Sequence, residues 1–339
     1  MYLYESWYQF GWADEILPKQ SLVRKILDET IFLWRAESGK LAALINRCPH
    51  RFAPFSEARI AEEAIVCGYH GIAFGSDGQC VHNPHGPVPP SLRVRSFPVV
   101  ERHRAIWIWM GAAETANPDL IPDLSFIDET PPTATVIASI PTKANYQLII
   151  DNILDLSHID YLHPTTLGKM MTGAKTRYYQ KGDVVYGEWV AKDAETPLAY
   201  KAMVPEGNCD LHIKLKYLIP GCLILENVVV PTGTEPTAKD VRTTMHNMTP
   251  ETQTTSHYFV TSVRRFNQDD VQVTERIKKA LLAAFIDEDK PLLEKQQTAM
   301  GTPDFYSLSP VLLKIDTAAV LARRVLDTKI KEQSNQAAA

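Results

Sequence analysis

Cys48-Pro49-His50 and Cys67-Gly68-Tyr69-His70 decide how this 339-residue chain is read. They form a C-x-H and a C-x-x-H pair with sixteen residues between them. Each short loop contributes one thiolate and one imidazole. Two Cys and two His could hold a structural zinc ion, but zinc fingers usually pair Cys with Cys and His with His at short spacing. One Cys and one His from each of two loops suits a Rieske 2Fe–2S centre, where two Cys hold one iron and two His hold the other.

The sequence around these loops reads as short strands and turns. Ile31-Phe32-Leu33-Trp34 and Leu41-Ala42-Ala43-Leu44-Ile45 flank Ser38-Gly39 and predict a β-hairpin that delivers the first loop. Val94, Phe97, Val99 and Val100 suggest a further strand, and Ala105-Ile106-Trp107-Ile108-Trp109-Met110 a buried one. Residues 1–112 are therefore expected to be a small all-β domain carrying the cluster. Asn117-Pro118-Asp119, Ile121-Pro122-Asp123 and Thr130-Pro131-Pro132 make 113–133 a Pro-rich acidic linker. Residues 134–332 mix strands with helices, for an α+β chain overall, and the polar, Ala-rich tail 333–339 is expected to be disordered.

Composition excludes several classes. The net charge is −5 and no basic cluster stands out, which argues against a nucleic-acid partner. Five Cys in a chain of this size do not suggest a disulfide scaffold, and reduced cytosol fits them better. The N-terminal residues lack the charged and apolar regions of a signal peptide, and no apolar run is long enough to span a bilayer, so a cytoplasmic protein without membrane association is expected. No G-x-G-x-x-G loop offers a dinucleotide site.

A second constellation lies at 151–164, within a segment of helical spacing from Asn145 to Leu162. Asp151, Asp155 and His158 are spaced i, i+4, i+7 and would share one helix face. His163 falls about 140° away from His158 on an ideal helix. The two imidazoles can meet only if the helix distorts, by a π-bulge for example, or ends before Pro164. A bland reading is an amphipathic helix with solvated Asp and satisfied His. The sharper one is a non-haem Fe(II) site, which needs two His and one carboxylate and leaves positions open for O₂. The carboxylate would come from the region around Asp287-Glu288-Asp289, where spacing does not choose among Asp287, Glu288, Asp289 and Glu294. The surrounding pattern is helical from Asp269 to Met300, with an interruption expected at Pro291.

Taken together, the two motifs resemble the oxygenase component of Rieske non-haem iron aromatic-ring oxygenases, most closely the vanillate and dicamba O-demethylase branch. The resemblance covers nearly the whole chain. It rests on Trp7-Tyr8, Cys48 to Pro54, Cys67 to Gly71, Cys80 to Gly86, Ile106 to Trp109, Asp151 to His158, Thr249 to Thr252 and Glu288 to Glu294. It implies a Rieske domain followed by a helix-grip catalytic domain, an antiparallel sheet with helices. Cys48, His50, Cys67 and His70 look like the cluster ligands, and His158, His163 and Asp289 like the ligands of the mononuclear iron. Asp155 looks like an aspartate whose carboxylate bridges His70 of one subunit and His158 of its neighbour in a head-to-tail homotrimer. Asn152 matches a position near the iron.

His246 matches a polar pocket position of that branch; the alternative is a strand His on a solvent face. Strand residues around Leu225 and the helix near Ala280 lack the Asn and Trp associated with a dicamba-type pocket, so the substrate is expected to be an aromatic acid or similar compound other than dicamba. Gly68 and Ile72 replace residues that are often Pro and Trp or Leu. The implied activity is a Rieske monooxygenase that uses O₂ and NAD(P)H electrons. The electrons would come through a separate flavin- and ferredoxin-type reductase or a ferredoxin. O-demethylation of a methoxylated aromatic acid is the leading reaction. A ring-hydroxylating dioxygenase or N-demethylase is the alternative, and a Rieske electron carrier or a zinc-stabilised binding protein is the non-enzyme rival.

Overall fold

The computed structural model describes residues 2–168 and 170–338. The chain divides into two compact units, Tyr2–Asp123 and Leu124 onward. The division falls inside the Pro-rich stretch. Its first half belongs to the N-terminal unit, where the Asn117 carbonyl accepts from Trp7 Nε1 at 2.8 Å.

The N-terminal unit is built from three small antiparallel sheets. The expected hairpin is present: Glu29–Arg35 pairs with Leu41–Ile45, and Gly39 turns the chain with a φ of +90°. Ala105–Trp109 is wholly buried between Trp7–Trp12 and Val99–Arg102. The smallest sheet, Arg59–Ala61, Ala64–Val66, Ala73–Phe74 and Cys80–His82, carries the second Cys-His loop between its middle strands. Phe32, Trp34, Phe55 and Phe74 pack into one core with Cys48 and Cys67, so both thiols are fixed by aromatic packing.

The C-terminal unit is a seven-stranded antiparallel sheet with helices, which makes the whole chain α+β. In spatial order the strands are Thr135–Thr142, Thr255–Arg264, Val241–Thr252, Cys222–Pro231, Asn208–Leu218, Val184–Glu195 and Lys175–Lys181. The first strand pairs with the last in sequence and closes a meander. Helix Tyr146–Leu154 lies against strands Val241–Thr252 and Thr255–Arg264 and against the C-terminal helix. Its N-terminus is capped by Asn145, whose Oδ1 accepts from Gln147 N at 2.9 Å.

Three expectations are corrected here. The segment 145–162 is not one helix: Tyr146–Leu154 stops at Asp155, and a 3₁₀ turn (Leu156–His158) and a short helix (Ile159–Leu162) follow. Pro291 does not interrupt its helix. Val271–Leu282 continues through a π-helical segment, Ala283–Asp289, into Lys290–Met300. Proline clashes with the carbonyl four residues back and lacks a donor, and a widened turn ahead of it relieves both problems. The final helix, Thr317–Ala338, runs on through most of the tail expected to be disordered, because Gln and Ala favour helix; Ala339 lies outside the described residues.

Candidate cluster and iron sites

The two Cys-His loops have the same backbone design. Cys48 N donates to Ala53 O at 2.9 Å and Phe52 N returns to Cys48 O at 2.9 Å. In the second loop Cys67 N donates to Ile72 O at 2.8 Å and Gly71 N to Cys67 O at 3.0 Å. Phe52 and Gly71 both take positive φ where these loops turn back. Gly68 is required by space: a Cβ there would sit 2.4 Å from the Glu57 carbonyl oxygen.

The loops turn both thiols inward and hold the His50 and His70 rings toward the surface, centroids 4.5 Å apart. Burial pushes the Cys48 thiol up to about 11, with Cys67 beside it. A thiolate at that place is therefore stabilised by a bound metal cation. Two inward sulfurs beside two outward imidazoles fit a Rieske cluster.

The second site follows from the helix break at Asp155. Its φ and ψ, −117° and 94°, are extended, and its Oδ1 accepts from Ser157 N at 2.9 Å to start the next turn. The chain is thereby redirected, and His163 ends the short helix just before Pro164. The His158 and His163 rings come to 5.2 Å between centroids without a π-bulge between them. The π segment lies elsewhere, under Asp289. His163 Nε2 lies 3.1 Å and His158 Nε2 3.5 Å from Asp289 Oδ1. One ligand atom from each of the three residues falls within 4.8 Å of the others.

Both imidazoles are held from behind. His163 Nδ1 meets Glu288 Oε2 at 2.7 Å, and the same oxygen accepts from Thr166 Oγ1 at 2.7 Å. His158 Nδ1 meets the main-chain oxygen of Asp155 at 2.5 Å. A proton on each Nδ1 leaves each Nε2 lone pair facing the common point, as metal-binding imidazoles require. Within one chain the contact to His158 is thus made by the Asp155 main-chain oxygen, while Oδ1 of its carboxylate caps the next turn.

Asn152 Nδ2 donates to Asp289 Oδ1 at 3.1 Å. Asn152 Oδ1 and Asp289 Oδ2 are buried without hydrogen-bond partners. A buried oxygen left unpaired costs about 1–3 kcal/mol, and a cation in front of the carboxylate removes that cost. Burial, the largest influence on His163, pulls its pKa down, yet the Asp289 and Glu288 carboxylates outweigh it and raise it. Such an acidic surrounding also favours a bound cation. Of the four carboxylates that spacing left open, Asp287 is exposed, Glu288 orients His163, and Glu294 accepts from Lys143 N at 2.9 Å. Asp289 alone turns to the two His. The roles of Glu288 and Thr166 were not legible, because they depend on the π turn and on the loop after His163.

A cavity of about 790 Å³ opens from this triad. Ile153, Leu156, Ile213, Leu225, Ala284 and Phe285 give it an apolar wall. His246 also lines it and is 2% exposed, so the solvent-face alternative is overturned. Strand Val241–Thr252 lies inside the sheet, and Phe285 of the π-helical segment packs edge-on against the His246 ring, centroids 5.3 Å apart. Its Nδ1 lies 2.5 Å from the Tyr258 hydroxyl, and burial pulls its pKa down to about 3, so the ring is neutral.

A Rieske-type loop pair and a facial two-histidine, one-carboxylate site in one chain define a non-haem iron oxygenase component. Comparison with known proteins agrees. The vanillate O-demethylase oxygenase C-terminal domain matches residues 142–332 and the Rieske [2Fe-2S] domain residues 6–98. The oxygenase component of chloroacetanilide N-alkylformylase from Rhizorhabdus wittichii is 35% identical, over 98% of this chain and 97% of that one. The oxygenase component of dicamba O-demethylase from Stenotrophomonas maltophilia is 33% identical, over 95% and 96%. A crystal structure of dicamba monooxygenase bound to 3,6-dichlorosalicylic acid superposes with a TM-score of 0.91 at 30% identity, covering 98% and 99% of the two chains. The chain belongs to the vanillate O-demethylase oxygenase family. It is the oxygenase component of a Rieske monooxygenase system, with a 2Fe–2S cluster and a non-haem iron as its cofactors. Among the described residues no helix is long and apolar enough to cross a membrane.

Proposed function

We propose that this oxygenase removes the methyl group of a methoxylated aromatic acid. The observation that carries the reading is the cavity: an apolar, ring-sized wall leads directly to His158, His163 and Asp289. Cys48, His50, Cys67 and His70 would hold the cluster, and His158, His163 and Asp289 the iron. When bound, the cluster supplies electrons one at a time and the iron supplies O₂ activation. The net reaction places one oxygen atom in a methyl C–H bond. The resulting hemiacetal collapses to a phenol and formaldehyde, and the second oxygen leaves as water with two electrons and two protons. NAD(P)H electrons reach the chain through a separate reductase or ferredoxin.

The protein's own residues set the geometry. Glu288 and the Asp155 carbonyl fix the two imidazoles, Asn152 holds Asp289, and the apolar wall keeps water from the methyl group. Asp155 Oδ1 is used in capping, and its other oxygen is left to accept from the partner subunit's His70 in a homotrimer working in the cytoplasm. Cluster and iron functions then fall in residues 1–112 and 134–332, joined by 113–133.

Purified protein, a surrogate reductase, NADH and a panel of methoxybenzoates test the proposal. Formaldehyde in step with NADH oxidation is the expected result, and a cis-diol product would overturn it. N-dealkylation is the second reading, favoured by the identity to chloroacetanilide N-alkylformylase. It would appear as aldehyde release from an N-alkyl anilide and none from the methoxy acids.

A further inference from the structure

The cavity has a second end. Arg242, Thr244 and His246 alternate along strand Val241–Thr252, share one face, and all line the cavity. Four residues of strand separate Arg242 from His246 by about 13 Å. Asn227 stands opposite Arg242 in register and accepts from the Tyr200 hydroxyl at 3.2 Å. The Arg242 guanidinium lies over the Tyr200 ring, 5.1 Å from its centroid. Its Nη1 makes one long contact to Ala199 O at 3.4 Å, and its Nε is buried with no partner. Among the described residues no carboxylate pairs with it. Lys201, Arg276 and Lys279 line the cavity too. Among the described residues Asp270 is the one carboxylate lining it besides Asp289, and its Oδ1 is taken up in accepting from Gln272 N at 2.9 Å. A cation held over Tyr200, with its Nε unpaired and only one long contact from Nη1, in a cavity lined by more cationic than anionic side chains, matches an organic anion.

We infer that Arg242 receives the anionic group of the substrate and makes the enzyme selective for aromatic acids, carboxylate or sulfonate. Leu225 and Ala280 leave the wall between Arg242 and the triad apolar, so the ring lies there and the alkyl group points to the iron ligands. This rests on the reading of the cavity as the substrate site, and it adds where the acid is held.

The test uses the holoprotein and measures binding apart from turnover. Calorimetric titration compares a methoxybenzoate, the matching sulfonate and the neutral methyl ester on wild type, Arg242→Gln and Arg242→Lys. Arg242→Gln should weaken both acids about 10- to 100-fold, as expected for a lost charge-assisted bond, and shift the ester less than about threefold. Arg242→Lys should recover part of the acid affinity, and unchanged Rieske absorption shows that each variant is folded. Selective weakening of one acid assigns the anion as carboxylate or sulfonate. Equal weakening of acids and ester, or wild-type affinity as high for the ester as for the acids, overturns the inference. Arg242-dependent acid binding without formaldehyde release would overturn the demethylase reading and leave this one standing.

Discussion

Glu288 Oε2 holds His163 Nδ1 at 2.7 Å from the position next to Asp289, so one turn of backbone supplies both a proposed iron ligand and the support for another. The π segment makes this possible. An ordinary α turn puts adjacent residues about 100° apart, whereas the widened turn lets Glu288 reach behind the ring while Asp289 faces its front. Glu288→Ala should lower iron affinity about 10- to 100-fold, as loss of such supporting hydrogen bonds does. Glu288→Gln keeps an acceptor for Nδ1–H and should lose less. Iron content after dialysis, with the Rieske absorption as internal reference, checks this; equal iron retention in Glu288→Ala and wild type would contradict it.

Asp155→Asn separates local structure from bridging between subunits. Asn caps a helical turn about as well as Asp, and the main-chain oxygen that meets His158 is unaffected. Both metal centres should therefore stay loaded while NADH-driven turnover nearly stops. Turnover at the wild-type rate would end the proposed link to the partner subunit's His70. Loss of iron would mean that the negative charge, rather than the cap, supports His158.

Much of this was legible in the sequence because it depends on spacing along short loops. C-x-H and C-x-x-H fix their donors locally, and turn residues and alternating apolar runs outlined the N-terminal strands. The convergence of His158 and His163 was legible as a requirement, but its cause was not. Asp155 breaks the helix through its own side chain, a choice that local propensity leaves open. Pro291 signalled a boundary, and the chain answered with a π turn instead. Arg242 stood in no motif, and Glu288 stood in one without its role, since these roles arise from strand register and from a contact across 125 residues.

Arg323 ties the C-terminal helix to the helix that carries Asn152. Its Nε and Nη2 reach Asp151 Oδ2 at 3.0 and 2.5 Å, Nη1 reaches Gln147 Oε1, and the guanidinium lies 4.7 Å from the Phe305 centroid. Its side chain is 9% exposed. Arg323→Met removes the cation and leaves Asp151 paired with nothing comparable, which should cost about 3–5 kcal/mol. The denaturant midpoint of the holoprotein checks this. Adding Asp151→Asn should restore part of the loss, because the isolated charge is then gone.

His246 should shape acid stability. Burial holds its pKa at about 3 in the folded chain, against about 6.5 when unfolded. Between those values the unfolded chain binds the extra proton, so stability falls as pH is lowered through this window and is complete above it. The slope at mid-window is about 1.4 kcal/mol per pH unit for one such group. His246→Gln cannot titrate and still offers an acceptor to Tyr258, which meets His246 at 2.5 Å. Denaturant midpoints from pH 6.5 down to 4.5 should therefore drop less steeply in His246→Gln than in wild type. Parallel curves would mean that the ring takes up its proton over the same pH range in the folded and unfolded chains. A neutral ring also suits the proposed anion pocket beside the proposed iron ligands: it offers a hydrogen bond without a second fixed charge to compete with Arg242.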